Sequence, residues 1–250
     1  MIRSTSGPAQ SWIRFFLFSV ASYLAIQTLL ILCHEYAHSI AAWLLGYTPT
    51  PWTVVWGNPI TATGWDEGVP YDQLFPSGGI KPAEAVIGGL PLLMHAAFVV
   101  VGLYALLRVA LPRRRLLFYA IYWFVVVNLM ELVAYIIMRP FAGDGDTGRF
   151  NQGLGLSPWY LFLAGTAFIL LTFYVFLYRV MPRLNVVVSG SRSRYGTMVW
   201  MTAFIMFLWG SGLRVMSLYP DDQWKLGLIG LVAFPGWILA DRYRSLREPA

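Results

Sequence analysis

The chain has 250 residues, of which 58% are hydrophobic and only 12% charged, and its formal net charge is +6. A water-soluble domain carries about 25% charged residues, so this composition excludes an ordinary soluble domain and is typical of a membrane protein. The positive charge does not indicate nucleic-acid binding, because the arginines lie in short loops between apolar segments and form no basic stripe with interleaved aromatic residues.

Six apolar segments predict transmembrane helices, each of which needs about 20 residues to cross a bilayer. Their apolar residues do not alternate as in a barrel, so the predicted fold class is all-α, a polytopic membrane bundle of about six helices. We expect the first segment to stay uncleaved, because its apolar run continues past any small-residue signal-peptide site. The predicted spans are residues 12–45, 83–111, 116–138, 159–181, 198–218 and 226–240, the last being short and containing Pro235.

The first segment contains the sequence HEYAH, which begins at His34. On a helix His34 and His38 share one face and can chelate one ion, and zinc is an ion that imidazole binds well. Glu35 would then lie beside a metal-bound water and could act as its general base. The alternative is that the histidines only make polar contacts between helices, but ionisable side chains are costly in lipid and usually functional there.

The long connection after the first segment, residues 46–82, contains the stretch WTVVWGNPITATGW. Its alternation around a Gly-Asn-Pro centre predicts a short β-hairpin at the membrane surface. The alternative is an irregular loop anchored by Trp52, Trp56 and Trp65, since tryptophan favours the interface.

Candidates for a third metal ligand follow the third predicted span, in the loop FAGDGDTGRF. Asp146 is preferred because it could open the next structured segment, whereas Asp144 could accept a hydrogen bond from a ligand imidazole. Both could instead be ordinary solvated acids. Glu131, in the third span, is a further alternative, and His95 is less suited because it lies deeper. Asn128 is predicted to bind substrate, although a polar contact between helices would explain it equally well.

The basic residues predict the orientation. Thirteen of the 18 Lys and Arg residues fall on one side of the six predicted spans, so both termini are predicted to be cytoplasmic and the histidines to lie toward the opposite face. These residues are Arg3, Arg14, Arg108, Arg113, Arg114, Arg115, Arg179, Arg183, Arg192, Arg194, Arg242, Arg244 and Arg247.

With HEYAH on a long apolar helix, Asn128 on a later helix and GDGDTGRF after it, the chain resembles the site-2-protease-like intramembrane zinc metalloproteases. The resemblance implies that His34, His38 and Asp146 or Asp144 bind zinc and that Glu35 is the general base. It covers the first four predicted spans, residues 12–181. We accordingly predict a metalloprotease core in residues 1–182, and two additional helices and a cytoplasmic tail in residues 183–250. The chain departs from the family in lacking a Leu-Asp-Gly motif and a PDZ-like domain.

The composition predicts an integral multi-pass membrane protein, which we expect in a bacterial cell membrane. The resemblance implies a zinc-dependent metallopeptidase that hydrolyses membrane-anchored or membrane-proximal proteins. The expected partners are a membrane protein or peptide substrate and the lipid bilayer, with no nucleic acid. The alternative function is a metal- or proton-handling transporter that uses the same histidines and acids, which predicts such residues throughout the bilayer depth. A catalytically silent scaffold is a third hypothesis, disfavoured by the intact HEYAH.

Overall fold

A computed structural model of the chain describes residues 8–61, 63–76, 79–109, 114–188, 192–207 and 236–240, and within these ranges the structure is helical with no β-strand. Two helices end in a wider π-helical turn. The elements are α1 (Pro8–Leu44), α2 (Tyr71–Leu74), α3 (Pro82–Arg108), α4 (Arg115–Leu132) with a π-helical turn (Val133–Met138), α5 (Gly145–Leu154), α6 (Pro158–Val175) with a π-helical turn (Phe176–Val180), α7 (Met181–Val187) and α8 (Arg192–Ile205).

Helix α1 is long because nothing in its sequence interrupts it. No Gly or Pro occurs between its first residue and Gly46, where the chain turns with φ +80°, a conformation that glycine adopts without strain. Helices α3 and α6 each begin with a proline, a residue whose fixed φ suits the first turn of a helix. HEYAH therefore lies in the second half of an unbroken helix, with its two histidines one turn apart.

The helix α4 and its π-helical turn form the centre of the bundle. Of the most apolar 18-residue stretch of this segment, 83% is buried, whereas no more than 39% of the corresponding stretch is buried in any other candidate membrane span. Helices α1 and α3 pack on α4, and the aromatic side chains of Tyr122 and Trp123 are fully enclosed. Residues on α4 that face α1 and α3 are therefore shielded from both lipid and water.

Helix α5 packs closely on α3 through glycines. A Cβ atom at Gly153 would lie 2.5 Å from the backbone nitrogen of Ala85, and one at Gly88 would lie 2.9 Å from Cβ of Arg149. Small residues let helix backbones approach one another in this way. The close approach holds the short α5 against the end of α3 that lies near HEYAH.

The predicted β-hairpin after α1 is not supported. The segment makes only two isolated antiparallel bridges, Val55 with Asp66 and Asn58 with Thr63, and forms no strand among its described residues. The turn explains why. Pro59 has no N–H to donate, and Oδ1 of Asn58 accepts hydrogen bonds from the backbone N–H groups of Ile60 and Thr61, so local contacts replace ladder pairing.

The predicted count of six spans is not supported either. Four described helices are long and apolar enough to cross a membrane: Ser11–Leu44, Pro82–Arg108, Arg115–Met138 and Pro158–Val187. These four correspond to the first four predicted spans. Most of the fifth and sixth predicted spans, in residues 208–235, lies outside the described ranges.

Candidate metal centre

His34 and His38 project from the second half of α1 into the interior of the bundle. Both are buried, with 5% and 2% of their surface exposed, and their Nε2 atoms lie 3.3 Å apart. Two imidazole nitrogens that face each other at this distance leave room for a shared ion between the rings and a third ligand.

The third group is Asp146, in the first turn of α5. The chain enters this helix through Gly145, whose φ of +64° directs Asp146 inward and leaves Asp144 outside. The hydroxyl of Thr147 donates a 2.8 Å hydrogen bond to the backbone carbonyl of Arg139, which ties the start of α5 to the end of the preceding π-helical turn. Asp146 is thereby buried beside the two histidines.

The three side chains fit a metal ion. Oδ2 of Asp146 lies 3.0 Å from Nε2 of His34, and Oδ1 lies 3.4 Å from Nε2 of His38. Among the described residues Oδ2 has no partner with hydrogen-bond geometry, although it is buried. One ligand atom from each side chain lies within 4.8 Å of the others. Two imidazoles and one carboxylate form a donor set found in catalytic zinc sites, which also keep a position for water.

Electrostatics favour the ionised form of the carboxylate. Burial by itself raises the pKa of Asp146, but His38 and then His34, when their rings are protonated, outweigh it and hold the pKa well below its usual range. Asp146 is therefore a carboxylate at neutral pH, the form that binds a metal.

The ring of His38 is oriented by the backbone of α3. Its Nδ1 lies 2.8 Å from the carbonyl oxygen of Ile87. A carbonyl only accepts, so Nδ1 carries the hydrogen. In the neutral ring, the form that binds a metal, the lone pair then lies on Nε2, which faces Asp146. The ring of His34 has a different partner: its Nδ1 lies 3.0 Å from Nε2 of His95, on α3.

Two tyrosines border the centre. The ring of Tyr135 stacks on that of His34, and its hydroxyl lies 3.4 Å from Nε2 of His34, the nitrogen that faces Asp146. The hydroxyl of Tyr71 lies 3.5 Å from Nδ1 of His38. Burial, followed by the charges of Glu67 and Asp146, raises the pKa of Tyr71 far above its usual value, so its hydroxyl stays protonated.

The segment after α1 lies close to the HEYAH turn. Ser39 is buried and lies 2.8 Å from both the backbone carbonyl of Pro51 and the hydroxyl of Thr53. Thr53 in turn donates to the carbonyl of Glu67. These bonds hold the segment against α1, and Glu35 beside it is half-buried.

The other predicted site residues occupy different places. The side chain of Asp144 is 78% exposed and lies 3.9 Å from Arg139, away from the histidines. Glu131 is buried on α4 but is not one of the three converging groups. Asn128 is fully buried, and its amide contacts His95 and a backbone carbonyl, so its predicted role in substrate binding stays a prediction.

Sequence reasoning missed Tyr135, although a signal for it exists. Asn128, Glu131 and Tyr135 have the spacing i, i+3 and i+7 of one helix face. The two polar residues of that face could have pointed to the third. The π-helical turn that carries Tyr135 has no comparable sequence signal, although such turns are frequent at functional sites.

Comparison of the chain with protein-family models, with characterised proteins and with solved structures gives no match. The resemblance to site-2-protease-like enzymes therefore rests on HEYAH and the residues quoted with it. What the structure adds is geometric: two histidines one helical turn apart and an aspartate more than 100 residues later lie together within an apolar helical bundle.

Proposed function

We propose that the protein is a membrane-embedded, zinc-dependent peptidase. The observation that carries the proposal is the convergence of His34, His38 and Asp146 around one point, with Glu35 adjacent on the same helix. A catalytic zinc site needs three protein ligands and a neighbouring general base, and these residues supply both.

The composition of the site supports hydrolysis over transport. A pathway for ions needs histidines and acids at several depths, whereas this bundle gathers all three histidines of the chain and Asp146 into one cluster.

His34, His38 and Asp146 would hold the zinc ion, which when bound supplies Lewis acidity and lowers the pKa of a coordinated water. Glu35 takes the proton of the attacking water and later gives it to the leaving amine. The Tyr135 hydroxyl, beside Nε2 of His34, is placed to donate a hydrogen bond to an oxygen that gains charge as the amide is attacked. The three ligand side chains are buried, and a low local dielectric strengthens each of these interactions.

The place of the site supports a substrate class. The two histidines lie in a candidate span, and α5, with Asp146, lies between two others. A peptide bond that reaches this point belongs to a membrane-anchored or membrane-proximal protein. The cleaved segment of the substrate must be extended at this point, because a helical backbone shields its own amide groups.

The test replaces Glu35 with Gln, which keeps the size of the side chain but removes the base. Zinc-loaded wild-type protein is incubated with detergent-extracted membrane proteins, and new peptide amino termini are identified by mass spectrometry. We expect Glu35→Gln to bind zinc as the wild type does and to lose about 10²–10⁴-fold in cleavage rate. Asp72→Asn, a change at an exposed acid, is the control and should cleave normally.

Two outcomes contradict the proposal. Equal cleavage by wild type and Glu35→Gln would exclude Glu35 as the base. Absence of new termini from the zinc-loaded wild type would exclude a peptidase, and zinc uptake by vesicles containing the protein would then support the transporter.

A further inference from the structure

His95 and Asn128 have no part in the proposed hydrolysis, yet both are completely buried inside candidate spans. We propose that they are positioning residues that set the ring form of His34 and present its Nε2 lone pair to the metal. The inference rests on the proposed metal site but not on peptidase activity.

Four groups form a continuous hydrogen-bonded chain. Nδ2 of Asn128 lies 2.6 Å from the backbone carbonyl oxygen of Phe124, on the same helix. Oδ1 of Asn128 lies 2.7 Å from Nδ1 of His95. Nε2 of His95 lies 3.0 Å from Nδ1 of His34. The chain ends at Nε2 of His34, which faces Asp146.

The carbonyl of Phe124 fixes the direction of every bond in this chain. It can only accept, so Asn128 presents its NH₂ to it and its oxygen to His95. That oxygen also only accepts, so Nδ1 of His95 carries the hydrogen and Nε2 of the neutral ring has the lone pair. His34 must then donate from Nδ1, which leaves Nε2 as the ligand nitrogen.

The two ligand histidines reach the same form by different routes. His38 donates directly to the carbonyl of Ile87, whereas His34 donates to a side chain whose own form is set by Asn128. Orienting groups of this kind raise ligand basicity, and their loss typically costs about 10–100-fold in metal affinity. Burying polar side chains such as those of His95 and Asn128 within a membrane span costs free energy, and their role in orienting His34 explains why they are there.

A first experiment determines which ring nitrogen of each histidine carries the hydrogen. The chain has only three histidines, and all three belong to this cluster, so protein labelled with ¹⁵N-histidine gives a simple NMR spectrum. We expect His95 to be neutral with its hydrogen on Nδ1, both with and without zinc. The His95→Gln variant identifies its signals by their loss. A His95 ring with its hydrogen on Nε2 would reverse the chain and overturn the inference.

A second experiment measures zinc affinity by competition with a chromophoric chelator. We expect His95→Leu and Asn128→Leu each to bind zinc about 10–100-fold more weakly. His95→Gln should recover most of the affinity, because its side-chain oxygen can accept from His34. Tyr122→Phe is the control for general loss of stability. It removes a buried hydroxyl from α4, the helix that carries Asn128, at a position away from the site.

The results separate the two proposals. Unchanged zinc affinity in His95→Leu and Asn128→Leu would show that these residues are mere packing contacts and overturn the inference. The inference would also be overturned if Asn128→Leu kept its zinc affinity but had a raised KM for peptide cleavage. That result would favour substrate binding by Asn128. If wild-type protein bound no zinc, the proposed function would fail, while the ring form of His95 would still report on the chain of hydrogen bonds.

Discussion

Asp144 and Asp146 have the same side chain and lie two residues apart, but their surroundings differ completely. Asp146 is buried beside two imidazoles, whereas the side chain of Asp144 is largely in solvent near Arg139. The difference comes from the positive φ of Gly145, which turns the chain between them. A single backbone conformation thus decides which of two aspartates can serve a metal.

The pair makes a matched test of the third ligand. Asp146→Asn should weaken zinc binding by more than the roughly 10–100-fold that follows removal of a group that only orients a ligand. Asp144→Asn should leave the affinity unchanged, because its carboxylate lies away from the histidines. Zinc content after dialysis and chelator competition would measure both. Equal losses in the two variants would contradict the assignment of Asp146.

How far these residues could be predicted depends on how local their partners are. His34, Glu35 and His38 follow from spacing on one helix, so the sequence alone groups them. Asp146 could be preferred but not separated from its alternatives, because its role depends on how α5 is placed. The contact of His95 with His34 joins residues 61 apart, and it depends on the register between α1 and α3, which no local pattern encodes.

Among the elements, α5 has the most demanding position, since ten residues must bring Asp146 to α1. It packs against α3, and this packing depends on a close backbone approach at Gly153 and Gly88. The short helix α5 has no large apolar face, so this close packing of backbones is what holds it in position. Metal affinity should therefore depend on Gly153, whose close neighbours, Ala85 and Lys81, are not metal ligands.

Gly153→Ala tests this dependence. The added methyl group would meet the backbone of Ala85, in α3, and of Lys81, just before α3, where little can shift. We expect a loss of about 1–3 kcal/mol in the free energy of unfolding and weaker zinc binding, because α5 must move. Gly143→Ala is the control, since its methyl group would meet no atom within 4 Å. Wild-type zinc affinity and thermal stability in Gly153→Ala would contradict the role of this contact.

The same scale shows where element prediction from sequence fails. Long apolar runs predict helices well, because length and composition alone decide whether a segment can cross a bilayer. The alternation in residues 52–65 predicts strands only if nothing competes with pairing. Asn58 and Pro59 provide that competition, through an acceptor for local N–H groups and a missing donor.

For the whole molecule, the distribution of charge predicts the orientation in the membrane, which the described helices do not determine. Arginine-rich connections alternate with acidic ones along the chain, and the positive-inside rule assigns the former to the cytoplasm. The connection between α1 and α3 would then lie on the opposite side, together with the metal centre. The proposed substrate would accordingly be cut near the non-cytoplasmic face.

Cysteine labelling tests the orientation, because Cys33 is the only cysteine in the chain. In a Cys33→Ala background, a membrane-impermeant maleimide added to intact cells should label Thr61→Cys. It should label Arg192→Cys only after the membrane is permeabilised. Both positions are exposed, so access to solvent does not distinguish them. Labelling in the reverse order would contradict the predicted orientation and move the site to the cytoplasmic side.

The candidate ligands come from two distant parts of the chain, and this separation has a consequence for biosynthesis. His34 and His38 leave the ribosome more than a hundred residues before Asp146, so the helix that carries them enters the membrane with its ring nitrogens still unpaired with a carboxylate. Synthesis must continue through α5 before all three donors exist in one molecule. A nascent chain is thus unable to complete the candidate metal centre until its central helix α4, which precedes Asp146, has been synthesised.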